Sequence, residues 1–294
     1  MFTITQFTAV LRVEPTPLVA LQVLLMLAII LWMYGGYVWL TNAVSADRAS
    51  RRLVLLAEMA GFFIVTLTVP DAFGGGGLAF GLAYAVVIAV HIGLFSRASR
   101  VRSILGVLRL GRFNALIAVS VIVGGAVGGV IQLAVWSVVV LLGWLVVPRI
   151  SPGSFDIGAA RFVERHGSVV IVAIGESVVA VGLGLRDLPV GRGLIAVALL
   201  GLALSACLWW AYFGGDDQRA EEALMVAPPA RRSMLAIQSY GYAHLALLLG
   251  IIAIAAAVEE IAHHPPTSST SDWPWPSGQA ALSTSGVRPA SGVS

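Results

Sequence analysis

The chain has 294 residues, of which 58% are apolar and only 11% charged, and its net charge is +3. A soluble globular domain carries about 25% charged residues, so this composition excludes a water-soluble globule and leaves no soluble domain large enough to hold an enzyme. A mean hydropathy of +0.91 makes lipid the main solvent, and backbone groups in lipid are satisfied within helices or closed barrels. The long uninterrupted apolar runs predict an all-α fold, a polytopic transmembrane helical bundle.

In chain order, about eight runs reach the roughly 20 residues needed to span a bilayer. They are placed at 17–41, 53–70, 78–95, 112–129, 131–148, 168–185, 193–213 and 238–259 within a membrane domain covering 1–262. Pro17 suits the first turn of the first run. Pro70-Asp71 followed by Gly74 to Gly77 marks a turn after the second. Between the fourth and fifth runs stand only Gly128, Gly129 and their neighbours, which allow either a tight turn or one long broken helix. Asp216 to Val226 reads as a short surface helix carrying Glu221 and Glu222, before the break at Pro228-Pro229. The first run has no basic leader and is too long for a signal peptide. Cys207 is the one cysteine, so no intrachain disulfide forms, and its apolar run predicts a buried thiol.

All the basic residues are arginine, and their placement predicts orientation. Arg48, Arg51 and Arg52 follow the first run, and Arg97, Arg100, Arg102, Arg109 and Arg112 follow the third. Arg149, Arg161 and Arg165 follow the fifth, and Arg219, Arg231 and Arg232 the seventh. The opposite side holds only Arg12, Arg186, Arg192 and Arg288. Cytoplasmic loops carry the excess of Arg and Lys, so eight spans with both termini outside the cytoplasm fit a bacterial inner-membrane protein. Arginines in clusters between apolar runs never form one basic face, which excludes nucleic acid as a partner.

The tail, 263–294, turns to Pro, Ser and Thr with Trp273-Pro274-Trp275-Pro276 and reads as disordered. Trp-Pro-Trp-Pro codons read two bases later begin with Ala, then Leu, Val or Met, then Ala. The tail is therefore expected to derive from a frameshifted membrane helix.

Arg161 to Gly167 (R-F-V-E-R-H-G), followed by Gly175-Glu176-Ser177, resembles the E-R-H-G…G-E-S signature of the bacterial low temperature requirement A family. Tyr37-Val38-Trp39-Leu40-Thr41-Asn42, Pro70-Asp71-Ala72-Phe73 and Ser239-Tyr240-Gly241-Tyr242 with His244 agree in order. The resemblance covers roughly 2 to 260 and implies a membrane bundle whose molecular activity is not established. Family members begin with an acidic-aromatic helix of which only Phe2-Thr3-Ile4-Thr5-Gln6 matches the end, and they continue with apolar helices where this chain has its tail. By that comparison the chain is expected to be truncated at both ends.

An ionisable side chain near the bilayer centre costs at least about 2.5 kcal/mol, which makes each one a functional candidate. Glu176, half-way along its span and followed by Ser177, is the first choice as a carboxylate that binds a proton or cation. Glu164, Arg165 and His166 open the same span at the cytoplasmic boundary. Eleven residues return to nearly the same helix face, about 16 Å along the axis, so Arg165 with Glu176 and His166 with Ser177 mark the mouth and interior of one path. The alternative is that Arg165 only anchors the helix at the headgroups. Glu58, His91, His244 and Tyr240 are the companions expected inside the bundle; a lone membrane histidine can equally be a packing residue. Trp32, Tyr34, Tyr37 and Trp39, and the cluster from Trp209 to Phe213, read as interfacial aromatic belts. Gly124-Gly125 and Gly128-Gly129 supply small-residue spacing for close helix packing.

No histidine pair has metal-ligand spacing, and no P-loop, G-x-S-x-G, HExxH or dinucleotide fingerprint occurs. The expectation is a protein without metal, cofactor or enzymatic activity, whose partners are the bilayer and a proton, ion or small solute moved through a polar interior. A homo-oligomer is compatible with this. The alternatives are a non-transporting scaffold or stress-adaptation protein, and an inactive truncated product.

Overall fold

The computed structural model describes residues 2–43, 49–96, 104–146, 149, 158–186 and 189–263, and all regular structure among them is helical. The helices are α1 (Phe2–Val13), α2 (Pro17–Ala43), α3 (Ala49–Thr68), α4 (Gly77–Ser96), α5 (Ile104–Val127) and α6 (Gly129–Leu141). They continue as α7 (Ala159–Leu185), α8 (Arg192–Phe213), α9 (Asp216–Val226), α10 (Pro229–Ile237) and α11 (His244–His263). Two wide π turns, Leu142–Val146 after α6 and Gln238–Ala243 before α11, interrupt the regular winding. Seven helical stretches are long and apolar enough to cross a bilayer, and α4 adds the shorter apolar segment Gly77–Gly93. The expected polytopic bundle is therefore present. The tail beyond His263, with its frameshift reading, lies outside the described residues.

α2 is the central helix. Every residue from Leu25 to Leu31 is buried, so the helix is enclosed on all sides, as its unbroken apolar sequence requires. α8 is the opposite case: Gly201 and Ser205 are its buried residues, with Leu208 and Tyr212 partly buried against the bundle. Cys207 is two residues beyond Ser205 and is exposed, which corrects the expected buried thiol. At about 100° per residue, two residues turn the side chain away from the bundle.

α7 starts at Ala159, not near 168. Its buried residues Phe162, Val163, His166, Gly167, Val170, Ala173, Ile174 and Ser177 form one continuous stripe. The Glu-Arg-His-Gly stretch thus lies within an established helix and does not open one, with His166 and Gly167 on its packed face.

Glycine decides two contacts. Gly128 and Gly129 adopt φ of 76° and 58°, a left-handed turn that a side chain disfavours. They separate α5 from α6 and leave the two antiparallel, with Trp136 Nε1 donating to the Val121 carbonyl at 3.1 Å. They serve the turn and not the packing expected of them. Gly125 does serve packing, since a Cβ there would lie 2.1 Å from the Gly77 carbonyl oxygen of α4.

α1 is held by polar ties. Thr3 meets Thr66 of α3 at 2.8 Å, and Arg12 pairs with Glu259 of α11 at 3.0 Å. Between them, the Thr5 hydroxyl donates to the Glu176 carboxylate.

Candidate functional site

A cavity of about 140 Å³ lies where α2, α4, α5, α7 and α10 approach both π turns. Its titratable wall residues are His91 from α4, His166 from α7 and Tyr240 from the second π turn. Asn114 and Ser233 add polar atoms, and Trp32, Trp39, Trp144 and Phe162 supply aromatic surface. Both π turns reach this wall, one through Trp144 and the other through Tyr240 and Gly241. Such turns widen a helix and often mark functional positions.

Behind His91 stands Glu58 of α3. Its side chain is 0% exposed, and Oε1 lies 3.6 Å from His91 Nδ1. Neither carboxylate oxygen accepts a hydrogen bond from a described residue. Glu58 therefore reaches neither water nor Glu176; its partner is His91.

His166 is held by its own helix and by neighbouring rings. Its Nδ1 lies 2.8 Å from the Phe162 carbonyl. A carbonyl only accepts, so Nδ1 carries the proton, and in the neutral ring Nε2 is the lone-pair acceptor. Phe162 and Tyr240 flank the imidazole with centroids at 4.4 and 4.8 Å. Tyr34 stands edge-on at 5.9 Å, and its hydroxyl donates to the Arg165 carbonyl at 2.9 Å.

His244 follows the same logic on α11. Nδ1 donates to the Ser239 carbonyl at 2.8 Å, which leaves Nε2 to accept the Tyr212 hydroxyl at 2.8 Å. The ring lies 5.4 Å from His166 and 4.9 Å from Tyr240. Tyr212, His244, Tyr240 and His166 thus form one continuous polar cluster that ends at the cavity.

The remaining candidates lie elsewhere. Glu176 is half-buried and tied to Thr5, and it is not part of the cavity wall. Ser177 is buried and donates to the Ile174 carbonyl of its own helix at 2.7 Å. Glu164 is exposed and Arg165 half-buried. Of the four residues expected to mark one path, His166 alone reaches the cavity.

Two wall residues, Trp32 and Trp39, belong to the aromatic belts that the sequence predicts. Trp209 and Trp210 are exposed at 47% and 72% and fit a belt. Trp32 instead donates through Nε1 to Asn114 at 3.2 Å, and Tyr34 and Tyr212 are bonded inside the bundle. The only local sign was Asn114, a polar residue within an apolar run. Trp144 and Ser233 carry no signal in the linear sequence. Among the described residues no three His, Cys, Asp or Glu side chains gather around one metal position.

The family model described as bacterial low temperature requirement A protein (LtrA) matches residues 1–286. An uncharacterized protein of Rhizobium meliloti (strain 1021) is 23% identical over 260 residues, covering 84% of this chain. The alignment takes in 63% of that relative, so the chain spans less than two thirds of its length. No solved structure matches the chain. With the match running across nearly the whole sequence, and the Glu-Arg-His-Gly and Gly-Glu-Ser stretches together on α7, this multi-span membrane protein belongs to the bacterial low temperature requirement A family.

Proposed function

We propose that the protein moves a proton or a small solute across the bacterial inner membrane, that the cavity is its solute site, and that it is not an enzyme. The observation that carries this is the pairing of the buried Glu58 at 3.6 Å with His91, which lines a cavity that also holds His166. A carboxylate kept fully buried on an apolar helix is costly, and an imidazole beside it makes a pair able to take up and release a proton. Glu176, the first choice from sequence, takes a structural part in this reading as the tie between α7 and α1. The cavity residues lie toward the helix ends joined by the arginine-rich segments, so the positive-inside pattern orients the cavity to the cytoplasm.

The test is proton flux in proteoliposomes, driven by an imposed potential and read with an internal pH dye. Glu58→Gln is expected to slow flux by about tenfold or more, a barrier higher by about 1.4 kcal/mol. Glu176→Gln is expected to keep most of it. Equal flux in the original protein and Glu58→Gln removes the reading.

A further inference from the structure

We propose that the cavity is a binding site for a small organic cation, a protonated amine or a quaternary ammonium. This rests on the cavity being the solute site named above, and it specifies the solute's chemistry. Five aromatic side chains, Trp32, Trp39, Trp144, Phe162 and Tyr240, contribute to one wall. The indole N–H of Trp32 is committed to Asn114 at 3.2 Å and that of Trp144 to the Ala28 carbonyl at 3.2 Å. What those two rings offer a ligand is therefore carbon surface and π electrons, which attract cations.

Charge selects the same class. Among the described residues no arginine lines the cavity, while the buried Glu58 carboxylate stands directly behind His91. The nearest buried carboxylate, Glu58, lies one side chain behind the wall and favours a cation over an anion. A bare metal ion needs several nitrogen or oxygen ligands at once, and the described residues gather no such group. A purely hydrocarbon solute would leave polar atoms without partners. Ser233 Oγ, on a residue only 5% exposed, has no hydrogen-bond partner and belongs to the wall. In the neutral ring of His166, another wall residue, Nε2 is a lone-pair acceptor because Nδ1 carries the proton. Both can receive an N–H or O–H from an amine-bearing or hydroxylated cation. At about 30 Å³ per water-sized group, a 140 Å³ space accommodates roughly five such groups, the scale of a methylated ammonium.

The probe is choline, set against its neutral carbon isostere 3,3-dimethylbutan-1-ol, titrated calorimetrically into the full chain in nanodiscs with empty nanodiscs as the blank. Choline is expected to bind at least about tenfold more tightly than the isostere. Glu58→Gln is expected to reduce that preference. Gly35→Leu serves as a second variant, because Gly35 lines the cavity and a Cβ there meets no atom within 4 Å. It places a side chain in the space without a clash at its root, and is expected to abolish choline binding while the protein elutes as a folded species. Equal binding of the two probes, choline binding that survives Gly35→Leu, or no saturable binding overturns the inference. Saturable, cation-selective binding without flux of any kind supports this site and removes the transport reading. Proton flux without choline binding does the reverse.

Discussion

Glu58 and His91 show what a buried titratable pair implies at the scale of single residues. Among the described residues neither Glu58 oxygen has a hydrogen-bond donor, and His91 at 3.6 Å is the charge partner. Removing one member of a buried pair leaves the other stranded and costs about 3–5 kcal/mol, whereas replacing both by apolar residues is often close to neutral. His91→Leu is therefore expected to lower stability in mixed-micelle unfolding far more than the double variant Glu58→Leu with His91→Leu. Losses that simply add would show that the two side chains are not a pair. The Tyr212–His244 bond is a smaller matter, since interhelical hydrogen bonds in membranes average about 0.6 kcal/mol. Tyr212→Phe should cost about that much in the same assay; no measurable loss would mean that the His244 acceptor finds another partner.

At the scale of elements, glycines that look alike in sequence do different things. Gly125 faces the Gly77 backbone so closely that a methyl group has no room, and overpacking of this kind costs about 1–3 kcal/mol. Gly175, within the Gly-Glu-Ser stretch, has no atom within 4 Å of an added Cβ. Gly125→Ala is expected to destabilise the α4–α5 contact, while Gly175→Ala is expected to be neutral or to stabilise α7 by up to about 1 kcal/mol through helix propensity. Unfolding of the two variants in parallel checks this, and a reversed order would mean that α4 and α5 do not meet at Gly77 and Gly125. Gly128 and Gly129, read as a turn or as packing residues, proved to be the turn because two consecutive positive φ values end a right-handed helix. The early start of α7 has an equally local cause. Its apolar stripe continues through Phe162 and His166, while the intervening Arg161 and Glu164 are exposed.

For the whole molecule, orientation is the accessible test. The arginine pattern puts the Gly74–Gly77 turn outside and α9 inside. In a Cys207→Ser background, an impermeant maleimide should label Gly75→Cys in right-side-out spheroplasts, and should label Asp217→Cys only after lysis. The opposite labelling would invert the topology and turn the cavity toward the outer face. The architecture also shows why α1 matters to Glu176. At about 1.5 Å per residue, the twelve residues of α1 extend roughly 18 Å, and their polar ties run to α3, α7 and α11. Glu176 is satisfied by a helix from the far end of the chain.

Solvent, helical class, the turn glycines and the family signature were all legible in the sequence, while of the eight expected spans seven are long enough to cross and Gly77–Gly93 is shorter. Each is written in a local window: hydropathy over about 20 residues, or a contiguous motif. The sequence also singled out Glu58, His91, His166, Tyr240 and His244 as polar residues in apolar surroundings. Which of them meet was not legible. Glu58 finds His91 on the next helix, and His166 finds Tyr240 across the bundle, while Glu176 is drawn off by Thr5. Those pairings depend on how each helix is rotated about its axis, on two π turns that shift the register at Trp144 and Tyr240, and on which neighbour packs alongside. In an apolar solvent many rotations satisfy hydropathy equally well. Side-chain packing selects one of them, and that choice exists only in the folded bundle.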